Sequence, residues 1–127
     1  MPFSNYGKGK VYDHSTARAS WTMPTTVYVA LYTSDPTASD AGTEVSGGSY
    51  SRKALTMGAG TNGAGTNSST VSFGTATASW GTVTHFGIRD ASTAGNLIFY
   101  GPLTVSKTVN SGDTFDFLTG DISITIA

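Results

Sequence analysis

The sequence predicts an all-β fold: a β-sandwich or small barrel of about 7–8 short, mainly antiparallel strands, preceded by a short N-terminal helix or arm. Three observations carry this. β-branched and aromatic residues alternate with polar ones at a period of two, the mark of half-buried strands. Turn-forming clusters separate these runs at intervals of about 8–12 residues. Small residues dominate, with 21 Thr, 16 Ser and 16 Gly among 127 positions, and the chain has the length of one domain.

In order along the chain, residues 1–22 differ from the rest. Phe3, Tyr6, Lys10 and the Asp13-His14 pair fall near helical spacing, but Gly7 and Gly9 each cost about 1 kcal/mol in a helix interior. A short helix or an irregular arm is expected there, followed by a single β domain over 23–127. In Val27–Tyr32 both faces are apolar, so this strand is expected to be central until Asp35-Pro36 stops it. Residues 50–57 form a more polar candidate, suited to an edge, and 70–73 a short one. In 82–89, Phe86 and Ile88 alternate against Val83 and His85. The runs 97–100 and 103–109 flank Gly101-Pro102, where a bend or bulge is expected. At the end, Ile122, Ile124 and Ile126 face one way and Ser123 and Thr125 the other.

Turn chemistry fills the gaps. Residues 92–96 and 110–113 are rich in Ser, Asn, Gly and Asp, which accept positive φ and bond to their own backbone. Residues 34–49 form a long polar loop. The pentapeptide Gly-Ala-Gly-Thr-Asn occurs twice in succession, at 58–62 and 63–67. One duplication of this size is no solenoid, and it reads as a lengthened, flexible hairpin loop.

Composition excludes several functions. Charged residues make up 12% of the chain and the net charge is −1, against about 25% charged residues in an ordinary soluble protein. The densest basic spots, Lys8/Lys10 and Arg52/Lys53, are too sparse to grip nucleic-acid phosphates. Without Cys there are no disulfides, thiol catalysis or Cys-based zinc sites. No run approaches the ~18 apolar residues of a membrane span, and no apolar core follows Lys8 and Lys10 as a secretory signal requires.

Catalytic and cofactor motifs fail on inspection. Residues 58–63 match G-x-G-x-x-G, but a strand-like run follows in place of a helix, and no acid stands about 20 residues on. His14 beside Asp13, and His85 five residues before Asp90, lack metal-ligand spacing. No G-x-S-x-G elbow is present. Asp113, Asp116 and Asp121 read as a solvated face, since Asp116 lies between Phe115 and Phe117 in an alternating run. Neither catalysis, metal nor cofactor is expected. Trp21, Trp80 and the six Tyr could stack on sugars, or pack in the core or an interface.

A resemblance sharpens the functional expectation. The opening 3–6 (Phe-Ser-Asn-Tyr), then Tyr12-Asp13-His14, resembles the start of short virion proteins of tailed phages known as tail fibre-like proteins. The similarity continues through 28–37 and 47–52 and is strongest from Ala76 to Ile126, above all in the block 80–86, Trp-Gly-Thr-Val-Thr-His-Phe. It implies a non-enzymatic structural component of the virion, assembled in the host cytoplasm. Where such proteins carry a leucine-rich amphipathic helix this chain has Gly7 and Gly9, so the arm is expected to reorganise on assembly.

Fibres take their length from coiled coils, β-helices or repeats, and none is visible here. The expectation is therefore a capsid decoration (cement) protein, a homotrimer clamping the major capsid protein through the arm and the loops 34–49 and 58–67. The alternative is a tail fibre-like or tail-tip adhesin, among tail proteins, that binds host glycan through Trp80, Tyr50 or Tyr100. Expected interface residues are Phe3, Tyr6, Tyr12, His14, Tyr50, Arg52, Gly60, Asn62, Gly65, Asn67 and Trp80.

Overall fold

Two-sided apolarity in Val27–Tyr32 has a direct structural cause, seen in a computed structural model that describes residues 1–126. This strand, β1, lies second in a four-stranded antiparallel sheet and is covered on both faces. The last position of the expected 23–127 domain lies outside the described residues. The other strands are β2 (Lys53–Leu55), β3 (Ala64–Thr66), β4 (Val71–Thr75), β5 (Gly81–Arg89), β6 (Leu97–Val109), β7 (Thr114–Phe117) and β8 (Ser123–Thr125). The large sheet runs β2-β1-β5-β6, while β3-β8 and β4-β7 form separate antiparallel ribbons. All three sheets are open, so the small all-β fold is layered and no barrel closes among the described residues.

One face of β1, Val29 and Leu31, enters a core shared by every sheet: Ile88 and Phe86 of β5, Val71 and Phe73 of β4, Phe115 and Phe117 of β7, and Ile124 of β8. The polar candidate at 50–57 contracts to β2, at the edge of the sheet as its composition suggests. Alternation in β5 departs from the expectation. Val83 joins Phe86 and Ile88 in the core, because the register against β6 slips between Val83 and His85. A bulge resets which face each residue takes. On β6 the matching irregularity is an excursion: Pro102 pairs with His85 and Lys107 with Val83. The bend expected at Gly101-Pro102 thus falls just after it, inside one continuous strand.

The outer face of the large sheet carries Ala30 and Tyr32, both buried. Gly87 lies opposite Ala30, and a Cβ there would come within 2.6 Å of Leu97 Cδ1 and 3.1 Å of Tyr32 Cε2. Only a glycine lets these side chains close over the strand. The N-terminal segment completes this side as a helix, α1 (Asn5–Ser15), packed on β6. Ser4 caps it, its Oγ accepting from the Gly7 N–H at 3.1 Å and donating to the Leu97 carbonyl.

Gly7 is the one buried residue of the helix. A Cβ there would lie 2.7 Å from Phe3 Cδ1 and 2.9 Å from the Ile98 carbonyl oxygen, whereas Gly9 has nothing within 4 Å. The two glycines therefore have different reasons to be there. Gly7→Ala is expected to lose about 1–3 kcal/mol through overpacking, and Gly9→Ala to gain up to about 1 kcal/mol from the helix propensity. Thermal unfolding of both variants, with protease cleavage of the arm as a second readout, checks the contrast.

Candidate functional site

The expected interface residues divide by what already occupies them. Trp80 is 4% exposed. Its Nε1 donates to the Gly48 carbonyl at 2.9 Å, and its ring meets Tyr50 edge-on at 5.6 Å. Tyr50 stacks on Phe73 at 6.0 Å. Trp80 is thus a core member, whereas Tyr50 is half-buried, packed against the core on one side and lining a shallow concavity with Glu44 and Arg52 on the other. Sequence alone could not separate these roles, because an aromatic on a strand suits core and platform equally. Tyr100 is half-buried on β6.

Arg52 is likewise engaged within the chain. Its Nε and a terminal nitrogen bind both oxygens of Glu44 at 2.9 and 2.8 Å, and its other terminal nitrogen donates to the Ala91 and Ala94 carbonyls. Tyr50 Oη accepts from the Leu31 N–H at 3.0 Å and donates to Glu44 Oε2 at 2.7 Å. Burial, with the Glu44 hydrogen bond adding to it, raises the Tyr50 hydroxyl well above its ordinary range. A second cluster repeats this pattern. Arg89 grips both oxygens of Asp40 at 2.8 and 2.9 Å and donates to Tyr32 Oη at 2.9 Å. Burial opposes the Arg89 charge, but Asp40 and Tyr32 outweigh it and keep the guanidinium protonated. Both buried arginines hold carboxylates of the 34–49 loop, so that loop spends its chemistry inward.

The duplicated pentapeptide forms a hairpin whose two asparagines do unlike work. Asn62 and Gly63 both have positive φ, 52° and 80°, and Thr61 and Ala64 exchange backbone bonds at 2.8 and 3.0 Å. This is the Asn-Gly turn that matches strand twist. Gly60 is exposed and Gly65 half-buried. Asn67 is 1% exposed. Its amide donates to the Ser69 and Leu118 carbonyls at 2.8 and 3.0 Å, and its Oδ1 accepts from the Ile122 N–H at 2.9 Å.

On the arm, Phe3 stacks on Phe99 at 4.5 Å, and Tyr6 meets Trp21 edge-on at 6.5 Å with Lys10 Nζ 5.6 Å above its ring. His14 Nδ1 accepts from the Trp21 N–H at 3.1 Å. Tyr12 stands exposed. Near the other histidine, Thr84 Oγ1 lies 2.8 Å from His85 Nδ1, and Asp35 stands 3.9 Å from His85 Nε2. The second distance is too long for a hydrogen bond. Among the described residues no cluster of His, Cys, Asp and Glu could hold a metal ion.

One concavity went unseen in the sequence. A groove of about 580 Å³ runs between the β6 excursion and β7. Its floor is Phe86, Phe115 and Phe117, and Val105, Lys107, Asp116 and Asp121 line it together with Met1 and Pro2 of the chain's own N-terminus. Lys107 Nζ bridges the gap to the Thr114 carbonyl and lies 5.5 Å from the Phe115 ring centre. Its sequence signal was the Gly101-Pro102 interruption, which marks where β6 leaves the ladder. The groove has an apolar floor and a rim of mixed charge.

Comparison with known families gives a match along almost the whole chain. The family model described as podophage GP4 fiber I protein gp80 covers residues 2–125. No curated protein matches the chain. The chain belongs to this podophage fiber family and is a structural protein of the phage virion.

Proposed function

We propose that the chain is a tail fibre-like component of a short-tailed phage particle, working by contact and without catalysis. The family match over residues 2–125 carries this reading. It supports the tail fibre-like alternative better than head decoration, which rested on the want of coiled coils and repeats. The fold adds a physical reason to look to surfaces: Glu44, Arg52, Asp40 and Arg89 are engaged in internal pairs that hold loops, while the groove is open. Contact with host glycan, on this reading, falls to the half-buried Tyr50 and Tyr100 or to the groove rim, since Trp80 is enclosed.

Purified virions carrying a tagged copy test the assignment. Immunogold labelling at the tail, a copy number far below that of the major capsid protein, and loss of adsorption with intact heads on deletion are the expected results. Labelling over the head, stoichiometry matching the capsid protein and heat-fragile heads on deletion would overturn it.

A further inference from the structure

The hairpin tip at Asn62-Gly63 carries a chemistry that its role as a turn does not use. The backbone nitrogen after an asparagine can attack the side-chain amide carbon, and glycine, having no Cβ, leaves that nitrogen least obstructed. Of the five asparagines, at 5, 62, 67, 96 and 110, Asn62 alone precedes a glycine. Asn62 and Gly63 are both exposed. Among the described residues the Gly63 N–H enters no backbone hydrogen bond, so the attacking atom is not tied up.

The second copy of the pentapeptide is the internal contrast. Asn67 is buried, with its amide held by the Ser69 and Leu118 carbonyls and the Ile122 N–H. The N–H of the following Ser68 donates to the Thr56 carbonyl at 2.9 Å. Both reacting groups are therefore occupied there. Asn5 and Asn96 also donate their amides, to Ser39 Oγ and Asp90 Oδ2.

We propose that Asn62 is a site of spontaneous, one-way modification: deamidation through the Gly63 nitrogen. That nitrogen bonds to Asn62 Cγ and gives up its proton, while the Cγ–Nδ2 bond breaks and ammonia leaves. Water, the only co-reactant, then opens the cyclic succinimide. Opening at Cγ leaves aspartate, and opening at the main-chain carbonyl leaves isoaspartate, whose backbone runs through the former side chain. Either product adds a negative charge to a chain of net charge −1. A virion component is not resynthesised after assembly, so the change accumulates as the particle ages.

Isoaspartate also disturbs the hairpin. It lengthens the main chain by a methylene inside a two-residue turn whose positive φ values fit the strand twist. The Thr61–Ala64 exchange loses its alignment, as does the Gly63 carbonyl that accepts from the Ile126 N–H at 2.8 Å. The effect reaches β8, because among the described residues β3 is its one partner strand.

The test uses the purified wild-type chain and Asn62→Gly, which keeps the turn, incubated side by side at neutral pH for weeks. Asn62 and Asn67 fall in one tryptic peptide, residues 54–89, so electron-transfer fragmentation reads both together. The expected result is an amide-to-acid mass gain at Asn62 that grows with time and includes isoaspartate, with none at Asn67. Hydrogen exchange at the Ala64 and Ile126 amides is expected to be faster in aged wild type than in equally aged Asn62→Gly. An Asn62 amide that outlasts those of Asn67 or Asn110, or that reacts only in urea-unfolded chain, would overturn the modification site. Unchanged exchange in the modified chain would overturn its effect on the hairpin.

Discussion

Replacing Asn67 by alanine is expected to remove about 2–4 kcal/mol of stability, while Asn62→Gly, at the equivalent position of the preceding repeat, should change it by less than about 0.5 kcal/mol. The two asparagines follow identical tetrapeptides, yet only one is load-carrying. Asn67 donates to two carbonyls and accepts from the buried Ile122 N–H. Truncation strands that N–H without an acceptor, which costs about 1–3 kcal/mol by itself, and the two carbonyls lose direct partners. Asn67 also ties β3 to the segment before β8 through its backbone, donating to Ile122 and accepting from Gly120. Asn62 sits at an exposed turn with positive φ, where glycine is at least as well suited. Urea unfolding checks the pair: the Asn67→Ala midpoint should fall sharply with an unchanged slope, and the Asn62→Gly midpoint should stay.

That contrast shows where sequence reading stops. Period-two alternation revealed β1, β4, β5 and β8 because one-sided burial writes itself into neighbouring residues. The central position of β1 followed from its two apolar faces, and the edge position of β2 from its polarity. Asn67 was invisible because burial of a polar residue depends on partners 51 and 55 positions away, and its local sequence is a copy of a turn. Gly7 was misleading for a related reason. Helix propensity prices it as a defect, but the close approach of α1 to Ile98 makes it a requirement. Trp80 and Tyr50 could be assigned to core or surface only once the sheets were stacked. The groove depended on a register slip that leaves no trace beyond Gly101-Pro102.

The same reasoning places the second large effect in the Glu44 cluster. Arg52→Ala is expected to lose about 2–4 kcal/mol, somewhat less than the figure for breaking a fully buried pair because Glu44 keeps partial contact with water. The variant leaves the Glu44 carboxylate with only Tyr50 as side-chain donor; it also removes the Arg52 bond to the Ala91 carbonyl and leaves the Ala94 carbonyl with the longer bond from Arg89 Nε, at 3.4 Å, in the β5–β6 loop. Glu44→Gln should cost less, since it removes the charge along with the need to balance it.

The two variants should also differ in acid. Burial would raise the Glu44 carboxyl, but the hydrogen bonds from Arg52 and Tyr50 and the Arg52 charge outweigh it and hold the group below the ordinary glutamate value. A carboxyl depressed in the folded state binds its proton more weakly there than in the unfolded chain, where it titrates near about 4.3. Its stabilising contribution is therefore complete above that pH and lost as the pH falls through the lower, folded value. Unfolding free energies measured from neutral pH down to acid should fall less steeply for Glu44→Gln than for the wild type in that window. Parallel curves would mean that the cluster holds the loops by shape and hydrogen bonding alone, with the ionised carboxylate adding nothing.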